Sequence, residues 1–153
     1  MAPLIVMLVS WAAARLAGFT GFWLQTDSWS GALRVALAAM FVFTGVSHFH
    51  RRTRRDLIRM VPPALPRPPL LVTITGILEF IGAAGLLLPS AATAAAYGLI
   101  GLLVAMFPAN LHAARTGLVI AGRRATPIVW RAALQLFWIG ALWWVVRSTP
   151  TAG

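Results

Sequence analysis

Apolar residues fill five long segments of the chain, and short polar or basic connections separate them. Each segment approaches the roughly 20 residues that a helix needs to cross about 30 Å of hydrocarbon. We therefore predict an all-α integral membrane protein that forms one transmembrane domain over residues 1–153. The predicted spans cover about 3–24, 31–49, 69–88, 91–111 and 126–146.

The connections between the spans differ in charge. With five spans, the connection at 50–68 and the one before the fifth span fall on the same side of the membrane. Ten arginines lie on that side, against Arg34 and Arg147 on the other. They are Arg51, Arg52, Arg54, Arg55, Arg59, Arg67, Arg115, Arg123, Arg124 and Arg131. The positive-inside rule then predicts a cytoplasmic N-terminus and an external C-terminus.

Composition supports a membrane protein over a soluble one. Hydrophobic residues make up 59% of the chain, charged residues only 10%, and the mean hydropathy is +0.81. The net charge of +10 does not indicate nucleic-acid binding, because the arginines lie between apolar segments and form no polar face or tail. The chain has no cysteine, which excludes disulfides and thiolate metal sites built by this chain alone.

The basic connection at 50–68 has a pattern of its own. Its first part, "RRDLIRMV", predicts a short amphipathic helix on the membrane surface, with Leu57, Ile58, Met60 and Val61 facing the lipid. The following "PPALPRPP" is rich in proline, which removes backbone donors and opposes a helix. We predict that the nearby arginines contact anionic lipid headgroups: Arg51, Arg52, Arg54, Arg55 and Arg59.

Glu79 is placed near the middle of the third span, in "TITGILEFIGAAGLLLP". An ionised carboxylate at the bilayer centre costs at least about 2.5–3.5 kcal/mol. Its helical neighbours are small (Thr75, Gly76, Gly82 and Ala83), so we expect it to face the bundle interior.

Arg15 and Gln135 lie at a similar predicted depth, which suggests a polar layer with Glu79. Our first hypothesis is that Arg15 and Glu79 form an ion pair or a hydrogen bond. In the alternative, Arg15 reaches an interface and Glu79 is protonated. Two roles stay open for this layer: it fixes the helix register, or it handles a proton or a polar headgroup.

A second polar layer lies at the cytoplasmic ends of the second and fourth spans. His48 comes from "FTGVSHFH", and Asn110 and His112 come from "FPANLH". These side chains are candidates for contacting a lipid headgroup or a quinone, or they only satisfy one another and the backbone. A metal site is disfavoured because no carboxylate or thiolate accompanies the two histidines. No resident cofactor is evident.

The motifs "GVSHF", "MVPPALP", "GILE" and "FPAN", in this order, resemble the DoxX-like family of small bacterial membrane proteins. The resemblance implies a bundle of four transmembrane helices, here the second to fifth spans, with the first span added at the N-terminus. It also implies a bacterial plasma-membrane location. His48, Pro62, Pro63, Glu79, Pro108 and Asn110 fall at the motif positions. Members of the family are associated with redox functions at the membrane, and one branch resembles the small subunit of a thiosulfate:quinone oxidoreductase.

These observations give three functional expectations. The first is an accessory subunit linked to membrane redox or sulfur metabolism, which contacts quinone or lipid and binds a protein partner or a second copy of itself. The second is a catalytic subunit that passes electrons from a small molecule to quinone. The third is a small transporter or lipid-handling bundle that uses the Glu79 layer. Because the sequence contains no obvious haem or iron–sulfur site, the first expectation is favoured.

Overall fold

The computed structural model describes residues 2–20, 26–120, 122–124 and 126–148, and in these the architecture is helical. The six helices are α1 (Ala2–Phe19), α2 (Trp29–Phe49), α3 (Arg51–Met60), α4 (Pro68–Leu87), α5 (Ala92–Thr116) and α6 (Ile128–Ser148). Two strands of two residues each, β1 (Val119–Ile120) and β2 (Arg123–Arg124), pair antiparallel between α5 and α6.

Five of the helices are long and apolar enough to cross a membrane: α1, α2, α4, α5 and α6. The predicted helical class is therefore confirmed, and these five helices correspond in order to the five predicted spans. The main differences from the predicted spans are at the C-terminal ends of two helices. Helix α5 continues through Pro108 to Thr116, whereas α1 ends at Phe19, before the predicted end at residue 24. Residues 21–25 lie outside the part of the chain that the structure describes.

Helix α2 organises the packing, since it contacts α1, α4 and α6. Helix α5 completes the bundle by packing against both α4 and α6. The largest fully buried side chains come from all four bundle helices and include Phe41, Leu37, Leu86, Leu99 and Leu142. Helix α1 joins this arrangement through its contact with α2.

Local sequence signals define several helix ends. Ser28 caps α2 by accepting a hydrogen bond from the backbone N–H of Gly31 at 3.0 Å. Pro68 starts α4 at a first-turn position, where its missing N–H costs nothing. Gly117 ends α5 in the left-handed region, at φ 61°, which glycine adopts without a steric penalty.

Gly76 allows α2 and α4 to approach closely where His48 lies. A Cβ atom added to Gly76 would come within 2.6 Å of the His48 Cβ, which is closer than real Cβ atoms approach. The second and third predicted spans are thus held in register by a glycine on one helix and a histidine on the other. We name this end of the bundle, where α3 also lies, the α3 end.

We predict that Gly76→Ala lowers the free energy of unfolding by about 1–3 kcal/mol, because the new methyl group overpacks this contact. Thermal denaturation of the detergent-solubilised protein measures the effect. Gly101→Ala is the matched control, since a Cβ there meets nothing within 4 Å. It should leave stability unchanged or raise it slightly through helix propensity. Equal losses for both variants would contradict this account of the α2–α4 contact.

Candidate functional site

Glu79 faces the bundle interior, as its small neighbours predicted. Its residue is only 3% exposed, and Gly76, Gly82 and Ala83 on the same face are also buried. The carboxyl lies against His48 of α2, with 3.4 Å between Glu79 Oε2 and His48 Nδ1. His48 is 4% exposed. The two titratable side chains therefore meet inside the bundle.

The contacts of His48 define the position of its ring proton. Nδ1 lies 3.0 Å from the backbone oxygen of Thr44. Because a carbonyl oxygen can only accept, Nδ1 must carry a hydrogen and donate it there. Glu79 Oε2 is buried and makes no hydrogen bond.

Geometry and surroundings favour a His48–Glu79 pair without charge. Charge-assisted N–H···O bonds are typically about 2.7–2.9 Å long, and the 3.4 Å separation is well beyond that. Arg54 also donates to the His48 backbone oxygen at 3.0 Å, which brings a positive charge close to the ring. The Thr44 side chain is also a polar neighbour of Glu79, but burial outweighs it, so an ionised carboxylate here would be costly. We therefore describe both groups as neutral.

Arg15 does not pair with Glu79, so our first hypothesis for the central layer is wrong. Its guanidinium donates to the backbone oxygens of Thr26, at 3.2 Å, and Asp27. It also lies over the rings of Phe19 (4.5 Å) and Trp29 (4.6 Å). The long side chain thus reaches carbonyls and aromatic faces at the far end of α1, which provide acceptors for one guanidinium nitrogen and stabilise its charge.

Gln135 does not complete the predicted layer either. It is buried between α5 and α6, where it lines a separate cavity with Val104 and Phe107. The third predicted member of the layer therefore has its own environment, and His48 is the residue that joins Glu79.

A cavity of about 190 Å³ lies at the α3 end of the bundle. Three polar side chains line it: His48 of α2, Thr75 of α4 and Asn110 of α5. The remaining walls are apolar: Leu57, Met60, Val61, Leu65, Leu71, Val72, Ala105, Met106 and Ala109. His48 and Asn110, which the sequence places in one polar layer, line the same cavity. His112 is not among the lining residues, and its backbone oxygen accepts from the Thr116 hydroxyl at 2.8 Å.

Helix α3 forms one wall of this cavity. The predicted amphipathic helix exists, but its apolar residues Leu57 and Met60 and the following Val61 line the cavity. This corrects the prediction that they face lipid. The reason is that α3 packs against α2, α4 and α5, so its apolar side is covered by protein.

Arg54 fastens α3 to the bundle, which differs from its predicted role as a headgroup contact. Besides His48, its guanidinium donates to the Pro69 backbone oxygen at 3.1 Å and to the Thr73 hydroxyl at 2.9 Å. The other four arginines predicted to contact headgroups are exposed: Arg51, Arg52, Arg55 and Arg59. Helix α3 thus presents arginine to the outside and apolar side chains to the cavity.

Arg131 of α6 fixes Asn110 at the cavity wall. The arginine donates to Asn110 Oδ1 at 2.8 Å and to the Thr126 backbone oxygen at 3.2 Å. Because arginine has only donors, the amide oxygen must face it. In the described part of the chain, no group of three metal-ligating side chains comes together. The geometry therefore provides a mainly apolar cavity with three polar side chains at its wall.

A family model matches residues 37–146, which is more than half of the 153 residues. The chain belongs to this family, described as "Domain of unknown function (DUF8561)". The DUF8561 region contains His48, Thr75, Glu79 and Asn110, whereas Arg15 lies outside it. No curated protein and no solved structure was found to match the chain.

The depth of a residue along its helix does not determine the partner of Glu79. His48 is near the end of α2, whereas Glu79 is in the middle of α4. Side chains in a helix tilt toward its N-terminus. Helix α2 ends at the α3 end of the bundle, so the His48 side chain tilts away from that end, toward the bundle centre. Helix α4 begins at the α3 end, so the Glu79 side chain tilts toward it, and the two side chains meet. Gly76, one turn before Glu79, was the sequence signal that another helix approaches α4 closely on the Glu79 face.

We predict that Glu79→Gln is tolerated, because an amide replaces a neutral carboxylic acid, and that Arg15→Gln lowers stability independently. The thermal stabilities of the two single variants and the double variant form a double-mutant cycle. The coupling free energy should lie within about 0.5 kcal/mol of zero, as for separate sites. A coupling free energy well above 1 kcal/mol would contradict this prediction and support an Arg15–Glu79 ion pair.

Proposed function

We propose that this chain is a multi-pass protein of the bacterial plasma membrane that binds the ring of a quinone in the cavity at the α3 end. In this proposal it acts as an accessory subunit of membrane redox or sulfur metabolism, as its resemblance to DoxX-like proteins suggests. The observation that carries the proposal is the cavity, with apolar walls and three polar side chains. Ligand sites commonly combine an apolar lining with a few placed polar groups.

The size and position of the cavity favour a ring with an attached tail. A volume of about 190 Å³ is at the small end for ligand sites, so it suits a headgroup better than a whole lipid. The cavity lies among helices that are long and apolar enough to span a membrane, so a hydrocarbon tail could extend into lipid. The exposed arginines of α3 would hold this end at an anionic membrane surface.

An accessory role is preferred to the two alternatives from the sequence. A catalytic quinone oxidoreductase subunit needs an electron carrier, and the chain offers no obvious ligand set for haem or iron–sulfur clusters. A proton or lipid pathway through a Glu79 layer has lost support, because Arg15 and Gln135 have partners and surroundings elsewhere. A soluble redox protein, or a second copy of this chain, is the expected partner.

The proposed orientation places the α3 end in the cytoplasm. Single-cysteine labelling tests this directly, because the natural chain has no cysteine. We expect a membrane-impermeant maleimide, added to intact spheroplasts, to label Ser90→Cys in the α4–α5 turn and not Arg59→Cys. Both positions are exposed. Labelling of Arg59→Cys alone would show that the orientation is reversed.

We predict that a benzoquinone with one isoprene unit binds the purified protein and that Ala109→Phe abolishes binding by filling the cavity. Isothermal titration in detergent measures the affinity. Ala133→Phe is the matched control, because residue 133 is exposed on α6 and lies outside the cavity. Unchanged affinity in Ala109→Phe would show that the benzoquinone does not bind in this cavity.

A further inference from the structure

We infer that the cavity at the α3 end selects a headgroup that carries a hydroxyl, and so binds a quinol in preference to the corresponding quinone. This inference rests on the proposed function, since it names the form of ligand that the same cavity takes. It depends on a count of the hydrogen-bond donors and acceptors that the three polar side chains still offer.

His48 offers an acceptor. Its Nδ1 hydrogen is given to the Thr44 backbone oxygen at 3.0 Å. In a neutral imidazole the second nitrogen, Nε2, then carries no hydrogen and can only accept. Three features favour the neutral ring: burial, the 3.4 Å separation from Glu79 Oε2, and the Arg54 guanidinium at the His48 backbone oxygen.

Thr75 also offers an acceptor. Its hydroxyl hydrogen is directed to the backbone of the preceding turn, with Leu71 O at 2.9 Å and Val72 O at 3.1 Å. A hydroxyl has one hydrogen and two lone pairs. The oxygen of Thr75 therefore has no hydrogen left for a ligand and keeps its capacity to accept one.

Asn110 offers the donor. Arg131 occupies its Oδ1 at 2.8 Å, so the amide NH₂ group is the part that remains for a ligand. The three side chains together present two acceptors and one donor group.

A hydroxyl fits this set better than a carbonyl, because its one hydrogen can go to either acceptor while its oxygen accepts from Asn110, whereas a quinone carbonyl only accepts. A bound quinone would satisfy Asn110 and leave His48 Nε2 and Thr75 Oγ1 without a hydrogen. Leaving a buried polar atom unpaired is costly, so the quinol should bind about tenfold more tightly. A lipid with a hydroxyl headgroup has the same chemistry, and the experiment must separate these two sources.

The test is isothermal titration of the purified protein with four probes under argon. The probes are a short-tailed benzoquinol, its quinone, the dimethyl ether of the quinol, and a short-chain diacylglycerol. We expect the quinol to bind about tenfold more tightly than the quinone, and the ether, which has no O–H, to bind no better than the quinone.

Two variants test the acceptors. Thr75→Val keeps the shape of the side chain and His48→Phe keeps an aromatic ring. Each should reduce the preference for quinol several-fold, because quinol loses a hydrogen bond and quinone no longer leaves that acceptor unpaired. His112→Phe is the matched control, because His112 does not line the cavity, and it should keep the full preference. If His48→Phe does not fold, Thr75→Val decides the question.

The other outcomes separate the inference from the proposed function. Quinone binding as tightly as quinol, or more tightly, would overturn the hydroxyl selectivity and leave the quinone-binding proposal standing. Binding of diacylglycerol without either quinone form would support the hydroxyl selectivity and overturn the quinone function. If no probe binds, both proposals fail.

Discussion

The burial of one carboxyl group and one imidazole between α2 and α4 is the constraint on which the rest of the site depends. Both residues are buried, and the His48 ring lies closer to the Thr44 backbone oxygen (3.0 Å) than to Glu79 (3.4 Å). The two side chains are tolerated there because both are neutral and because Gly76 leaves room for the ring. The same arrangement brings His48 to the wall of the cavity.

The cavity is formed by helices that meet around this contact. Helix α3 follows α2 after a single residue and is fastened across the bundle by Arg54, which bonds to α2 and α4 at once. Arg131 on α6 holds Asn110 of α5 in the same way from the other side. Two arginines thus position the walls, and their bonds leave specific donors and acceptors available to a ligand.

The helical architecture could be predicted from the sequence because apolar length is a direct consequence of bilayer thickness. The amphipathic character of α3 and the meeting of His48 with Asn110 were also accessible, since both follow from pattern and connectivity. Burial of Glu79 followed from its small neighbours at helical spacing. These features depend on residues that are close in sequence or on the order of the helices.

The partner of Glu79 could not be predicted in the same way, because depth along a helix does not specify where a side chain points. Arg15 was at a suitable depth, yet its long side chain found carbonyl acceptors and aromatic faces near the end of α1. The role of Arg54 was missed for a similar reason. The sequence does not distinguish Arg54 from the other arginines of its basic cluster. Only the packing of α3 shows that Arg54 bonds within the bundle while its neighbours are exposed.

The central claim is that Glu79 is an uncharged acid in contact with a neutral His48, and infrared spectroscopy tests it most directly. Glu79 is the only glutamate in the chain, so ¹³C-labelled glutamate introduces a single labelled carboxyl group, with Glu79→Gln as the control for label transferred to glutamine. The account predicts an isotope-shifted C=O stretch of a protonated carboxylic acid at neutral pH, absent from Glu79→Gln. Carboxylate stretches alone would contradict it, because they would mean that Glu79 is ionised and that His48 carries its counter-charge.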